Sequence, residues 1–331
     1  MAEVKKGMLA DLLDETFHIM GRTWPTSLLL GAVLFFPTSW FFGWAYGRFF
    51  DALARLAQNA GAEPTSTLVL FGTAYLWILL AALLQALVLL FVRACVTAHA
   101  ALAVRNVPAS PLTIMVEIAL STYPRLLGQR ILQGAILVIT LTAGMLLTGV
   151  AVGVAAALKA TALAIVLGII LGIASIGAYV WALVRFSLTL ESLVIDGMKI
   201  EPSLDQSALL IRGAWWRVFG CILLFGLMVS FASSILATPI LFFASIRQYG
   251  ELLRSLLQES SGEGSFNATL LRLLAGMGRK LGLMAYLQSL LSALVSPVFM
   301  TMLFFAMKKR RDSPAQVLTV SAPPAAGESA S

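Results

Sequence analysis

The sequence predicts an all-α, polytopic membrane bundle, and three observations carry that expectation. Of its 331 residues, 59% are hydrophobic and only 12% are charged, where soluble domains carry roughly 25% charge. The mean hydropathy is +0.90. Six stretches are each long and apolar enough to cross a bilayer, which takes about 20 residues. So little charge cannot give a globular fold a polar coat. The same figures exclude a disordered polymer, a coiled coil and a secreted disulfide scaffold.

Taken in order, residues 1–22 do not read as a secretory signal, because Asp11, Asp14 and Glu15 stand where an unbroken apolar core would be. Leu9, Leu12, Leu13 and Met20 recur at helical spacing, opposite Asp11, Glu15 and His18. That pattern predicts an amphipathic helix lying in the headgroup region. The six expected spans are residues 25–46, 68–92, 131–158, 162–184, 218–243 and 281–307. Trp24, Trp40, Trp44, Trp181, Trp215 and Trp216 lie near their ends, as interfacial anchors do. Cys95 and Cys221 sit far apart beside apolar runs and read as buried thiols. Residues 49–56, 246–257 and 270–277 have the pattern of amphipathic helices on the outer leaflet. Residues 1–311 are expected to form a single membrane domain, and the Pro/Ala/Ser-rich residues 312–331 a disordered cytoplasmic tail.

Six spans place both ends of the chain on one side. Fifteen of the 23 Lys and Arg residues fall on that side, including the run Lys308, Lys309, Arg310 and Arg311 directly after the last span. The positive-inside rule then makes both termini cytoplasmic, in a bacterial inner membrane.

The chain also repeats itself at an offset of 92 residues. Val92-Arg93 pairs with Val184-Arg185, Thr97 with Thr189, Leu112 with Leu204, Arg125 with Arg217 and Gly128 with Gly220. Each unit reads as an interfacial amphipathic helix, a basic or aromatic elbow, a span out and a span back. This predicts three parallel helix-hairpin units, roughly residues 1–107, 108–200 and 201–311. The second interfacial helix is expected to open at Ser110-Pro111, and the third at Ser203 with Gln206 in capping-box spacing.

The residues Arg185-Phe-Ser-Leu, Glu191, Asp196-Gly197, Pro202-Ser203, Ser207-Ala208 and Arg212-Gly213-Ala-Trp-Trp-Arg217 form a recognisable pattern. It resembles the six-span membrane domain that precedes the catalytic barrel in some bacterial glycerophosphodiester phosphodiesterases, a domain with stand-alone relatives. The likeness is sharp over residues 90–220 and covers the rest of the chain in layout only. The phosphodiesterase activity of that family resides in the separate barrel, with its His-Arg start and metal-binding Glu and Asp. These 331 residues hold no counterpart of it, so the resemblance implies the membrane fold and not the activity.

Catalytic chemistry needs convergent titratable groups, and the sequence offers few. The only histidines are His18 and His99, with no metal-ligand spacing around them, and no metallopeptidase helix, Walker loop or nucleophile elbow is present. A phospholipid-directed enzyme would have to bring His99, Glu191 and Asp196 together. No cofactor, metal or catalytic residue is therefore expected. The expected spans hold no Asp, Glu, Lys, Arg or His, which argues against a proton-driven pump. Their polar groups, chiefly Gln85, Gln288 and Ser292, read as interhelical glue or as the lining of a neutral pathway. Gly149, Gly153, Gly168 and Gly172 lie four apart in pairs and predict close packing of the third and fourth spans, or dimerisation through the same face.

Arg93, Arg125, Arg185, Arg212 and Arg217 fall where headgroup phosphates lie, beside apolar helix faces. They read as positive-inside charge or as a grip on anionic headgroups. The function expected is a non-enzymatic membrane protein that engages lipid headgroups at the cytoplasmic interface. Its partners would be membrane lipids, anionic ones included, with a second copy or a membrane partner protein and no nucleic acid. The alternative is a passive or partner-energised transporter subunit for a lipid or small amphiphile.

Overall fold

A computed structural model describes residues 8–58, 64–107, 112–258 and 278–312. Those residues form α1 (Met8–Gln58), α2 (Pro64–Val104), α3 (Leu112–Ala157), α4 (Thr161–Arg185), α5 (Thr189–Ile195), α6 (Ile200–Ile211), α7 (Trp215–Gln258) and α8 (Gly278–Asp312), with no strand among them. Among the described residues six segments are long and apolar enough to cross a membrane, and each overlaps one of the six expected spans. Helices are the natural outcome there, because lipid offers no partner to an unpaired backbone amide. The molecule is an all-α, multi-pass membrane protein.

The spans are parts of much longer helices. At 1.5 Å per residue α1 is about 77 Å long, more than twice the roughly 30 Å of hydrocarbon. The first amphipathic segment is thus the start of α1 and continues into the span through Pro25, without a separate helix lying flat. Likewise residues 112–123 run into the span of α3 through Pro124, while 49–56 and 246–257 are the far ends of α1 and α7. Pro37, Pro239 and Pro297 also lie inside unbroken helices. The third amphipathic segment alone is a separate helix, α6, set off by Arg212–Ala214 with Gly213 at φ +74. The expected cap at Ser110-Pro111, the segment 270–277 and the tail beyond Asp312 lie outside the described residues.

The chain forms two compact units, Met1–Leu127 with Phe219–Phe299, and Gly128–Val218 with Met300–Ser331. In the first, α1 and α2 run antiparallel. Aromatic rings join them at Phe41–Trp77, Trp44–Trp77 and Phe49–Phe71. Helix α8 lies antiparallel to α1 at backbone contact distance. A Cβ on Gly282 would stand 2.7 Å from the Ser39 carbonyl oxygen and 3.0 Å from Gly43 Cα. Only paired small residues permit that approach. Phe225 of α7 stacks on Phe299 of α8 at 3.8 Å.

In the second unit α3 and α4 form a hairpin whose turn is a Schellman motif. The Lys159 and Ala160 amides donate to the Ala156 and Ala155 carbonyls, with Lys159 at φ +57. Helix α4 breaks at Phe186–Leu188, and α6 satisfies the break. The Ser207 hydroxyl accepts from the Leu188 amide at 3.2 Å and donates to the Arg185 carbonyl at 2.9 Å. Ile165, Ile169, Ile173 and Ile176 leave one face of α4 apolar and exposed, as a lipid-facing helix requires.

Candidate functional site

The arginines separate into two kinds. Arg125, Arg212 and Arg217 are exposed and have no hydrogen-bond or ion-pair partner among the described residues. Arg125 follows Pro124 and precedes the wholly buried Leu126; Arg217 follows Trp216, which is 76% exposed, and precedes the wholly buried Val218. The repeat therefore sets the same basic elbow at both places: an exposed guanidinium anchored by a buried apolar neighbour. A guanidinium so placed presents a fork of donors to a phosphate. Arg93 and Arg185 are half-buried. Arg93 donates to the Ser292 hydroxyl of α8 at 3.2 Å, and Arg185 lies over the Trp181 ring at 4.8 Å. Arg93 ties α2 to α8, while Arg185 packs against a ring of its own helix.

Other repeat-related positions also share environments. Val92 and Val184 are buried, as are Thr97 and Thr189. After the half-buried arginine, residues 94–101 and 188–194 are buried on every side of the helix. The last helix does the same over residues 301–304, where Thr301 stands four residues after Pro297, as Thr97 follows Arg93 and Thr189 follows Arg185. This third instance was hidden in the sequence because Pro297 replaces the arginine and the flanking residues differ.

The intramembrane polar groups have distinct roles. The Gln85 amide donates to Ser39 at 3.1 Å and to Ser289 at 2.8 Å, joining α2 to α1 and α8. Gln85 and Ser292 are thus interhelical ties. Gln288 is exposed, with no hydrogen bond to a described residue. Of the four glycines, Gly149 and Gly153 are exposed, and a Cβ on Gly149, Gly153 or Gly172 would meet nothing within 4 Å. The α3–α4 approach runs instead through Gly168, whose Cβ would stand 3.3 Å from Val152, and through Gly144, whose Cβ would stand 2.5 Å from the Ser175 hydroxyl. Sequence spacing set the right pair of helices but not the rotation of α3.

His99 is buried in the first unit, and the two carboxylates, Glu191 and Asp196, belong to the second, where each has its own partners. Asp196 binds Lys308 at 2.9 Å and accepts from the Gln206 amide at 2.9 Å. Glu191 is buried, and its charge offsets the cost of burying the Arg130 guanidinium. Around that pair Gln129 donates to Thr189 and to Gln133, and Arg130 donates to Gln133 at 2.9 Å. The network is a polar clasp between α3 and α5. Among the described residues no three His, Cys, Asp or Glu side chains converge as a metal site.

The sequence reading missed a cavity of about 660 Å³ in the first unit, walled by α1, α7 and α8. Its rim includes exposed Phe17, Trp24 and Leu236, and its wall includes Leu287, Leu291 and Leu294. The hint in the sequence was the Ser230, Ser233 and Ser234 stripe, of which all three line the cavity. Compared with family models, curated proteins and solved structures, the chain matches none.

Proposed function

We propose that this chain is a non-enzymatic protein of a bacterial cytoplasmic membrane that holds anionic lipid headgroups on the face carrying both termini. The repeated elbow carries the reading. Arg125 and Arg217 are exposed and without protein partners, each beside a buried anchor at a repeat-equivalent position. Charge needed only to orient the chain would not have to recur on a fixed scaffold. Arg212 and the exposed Lys309, Arg310 and Arg311 add cations outside the apolar spans. Each cation near an anionic surface contributes about 1 kcal/mol of attraction. The amphipathic α6 and exposed Trp216 complete an interface suited to the headgroup layer.

A ligand that binds only the native state raises its stability. Adding phosphatidylglycerol to the detergent-solubilised protein should raise Tm, and phosphatidylcholine should not. In the double variant Arg125→Gln/Arg217→Gln the phosphatidylglycerol increment should fall by at least half. An undiminished increment in that variant removes the elbows from lipid binding.

A further inference from the structure

The cavity of the first unit has an uncharged wall. No Lys, Arg, Asp, Glu or His lines it, and its polar groups come from Gly21, Thr23, the Trp24 indole N–H, Ser27, three serines of α7 and Gln288. Four of them, the Gly21 carbonyl and the Thr23, Ser233 and Ser234 hydroxyls, are left only to accept a hydrogen bond. Thr23 already donates its proton to the Ile19 carbonyl at 3.0 Å, Ser233 to Val229 at 2.7 Å and Ser234 to Ser230 at 2.9 Å. Their remaining capacity is lone pairs. Pro25 has no N–H to give the carbonyl four residues back, which is that of Gly21 on the cavity wall. Ser27, 2% exposed, has a hydroxyl oxygen with no partner among the described residues. Gln288 adds an uncommitted amide that can both give and take.

Neutral donors and acceptors without a cation select the ligand by its charge. A phosphate or carboxylate would bring more acceptors and an uncompensated buried charge, which is costly in a low-dielectric site. A hydroxyl gives its proton to one of the four acceptors and accepts from the Gln288 amide. The rest of the wall is Leu, Met and Val with the Phe17 and Trp24 rings, which suits an alkyl chain. The volume of about 660 Å³ lies in the 300–1,000 Å³ range of sites for drug-sized molecules. We propose that this cavity binds an uncharged, single-chain amphiphile with a hydroxyl head, of the monoacylglycerol or long-chain-alcohol class. The assignment does not depend on the arginine elbows, which would recognise the opposite chemistry.

The test uses the full chain in phosphatidylcholine nanodiscs with a monoacylglycerol carrying a photoactivatable diazirine in its chain. Labelled peptides should map to residues 17–28, 230–236 and 284–295. Excess unlabelled monooleoylglycerol should lower that labelling at least tenfold, whereas oleoyl lysophosphatidic acid should lower it less than twofold. Ser233→Phe, which fills the cavity, should abolish the specific labelling, and Gln288→Leu, a change at an exposed side chain, should weaken it severalfold. Labelling spread evenly over the exposed faces of α3 and α4 would mean annular lipid only and would overturn the proposal. Equal competition by the lysophosphatidic acid would overturn the uncharged head.

Discussion

At the scale of single residues, backbone conformation and local capping explain where the chain turns. Lys159 ends α3 at φ +57, a left-handed conformation that costs an L-residue roughly 1–2 kcal/mol and glycine almost nothing. Lys159→Gly keeps the Schellman bonds and should raise stability by about 1 kcal/mol, read as a higher Tm in detergent. An unchanged or lower Tm would mean the turn is held some other way. Asn106 makes the equivalent turn after α2, with its amide and that of Val107 returning to Ala103 and Leu102. Asn tolerates that conformation, so no strain accrues there. The capping-box reading at Ser203 and Gln206 was legible as a motif and differs from the structure for a tertiary reason. Helix α6 starts earlier, at Ile200, the Ser203 hydroxyl donates back to the Ile200 carbonyl, and the Gln206 amide reaches Asp196 across the turn. No spacing rule carries that contact.

At the scale of elements, apolar runs located all six spans, because lipid requires length and hydrophobicity together. Helix continuity was not legible. Pro25 and Pro124 look like boundaries in sequence, yet a proline removes one backbone bond and need not end a helix that tertiary packing holds on both sides. Small-residue spacing was legible as a packing signal but not as a rotation about the axis. The close approaches sit at Gly144 with Ser175 and at Gly282 with Gly43. Gly144→Leu and Gly282→Leu should each destabilise the fold by about 1–3 kcal/mol through overpacking. Gly149→Leu should cost less than either, since nothing lies over it. Denaturation in a mild detergent would order the three variants; equal losses would contradict the packing described for α3 and α4.

At the scale of the whole molecule, sparse charge is the organising fact. The chain carries 23 Lys and Arg residues and 16 Asp and Glu residues. The structure gives the few charges near helix ends distinct tasks. Arg93 and Arg185 anchor to Ser292 and to the Trp181 ring, Arg130 faces Glu191, and Lys308 holds Asp196. Among the described residues Arg55, Arg105, Arg125, Lys159, Lys199, Arg212, Arg217, Lys309 and Arg311 are left exposed and without a side-chain partner, and of these Arg125 and Arg217 are the pair at repeat-equivalent elbows. The repeat could be read from identities at Arg93/Arg185, Thr97/Thr189 and Arg125/Arg217, and its physical meaning emerged from burial. Residues 94–101, 188–194 and 301–304 are each fully buried and carry Thr97, Thr189 or Thr301, four residues after Arg93, Arg185 or Pro297. The cavity could not be read, because its wall joins residues more than 200 positions apart in the chain, Ser27 and Gln288 among them.

The central claim is that repeat-equivalent arginines hold anionic headgroups. Its most direct measurement is the lipid retained after purification in mild detergent, quantified by class for the wild type and for Arg125→Gln/Arg217→Gln. The account predicts that the wild type carries phosphatidylglycerol or cardiolipin enriched over the parent membrane, and that the double variant loses most of that enrichment while keeping its zwitterionic lipid. Equal anionic-lipid retention by the two proteins would contradict it.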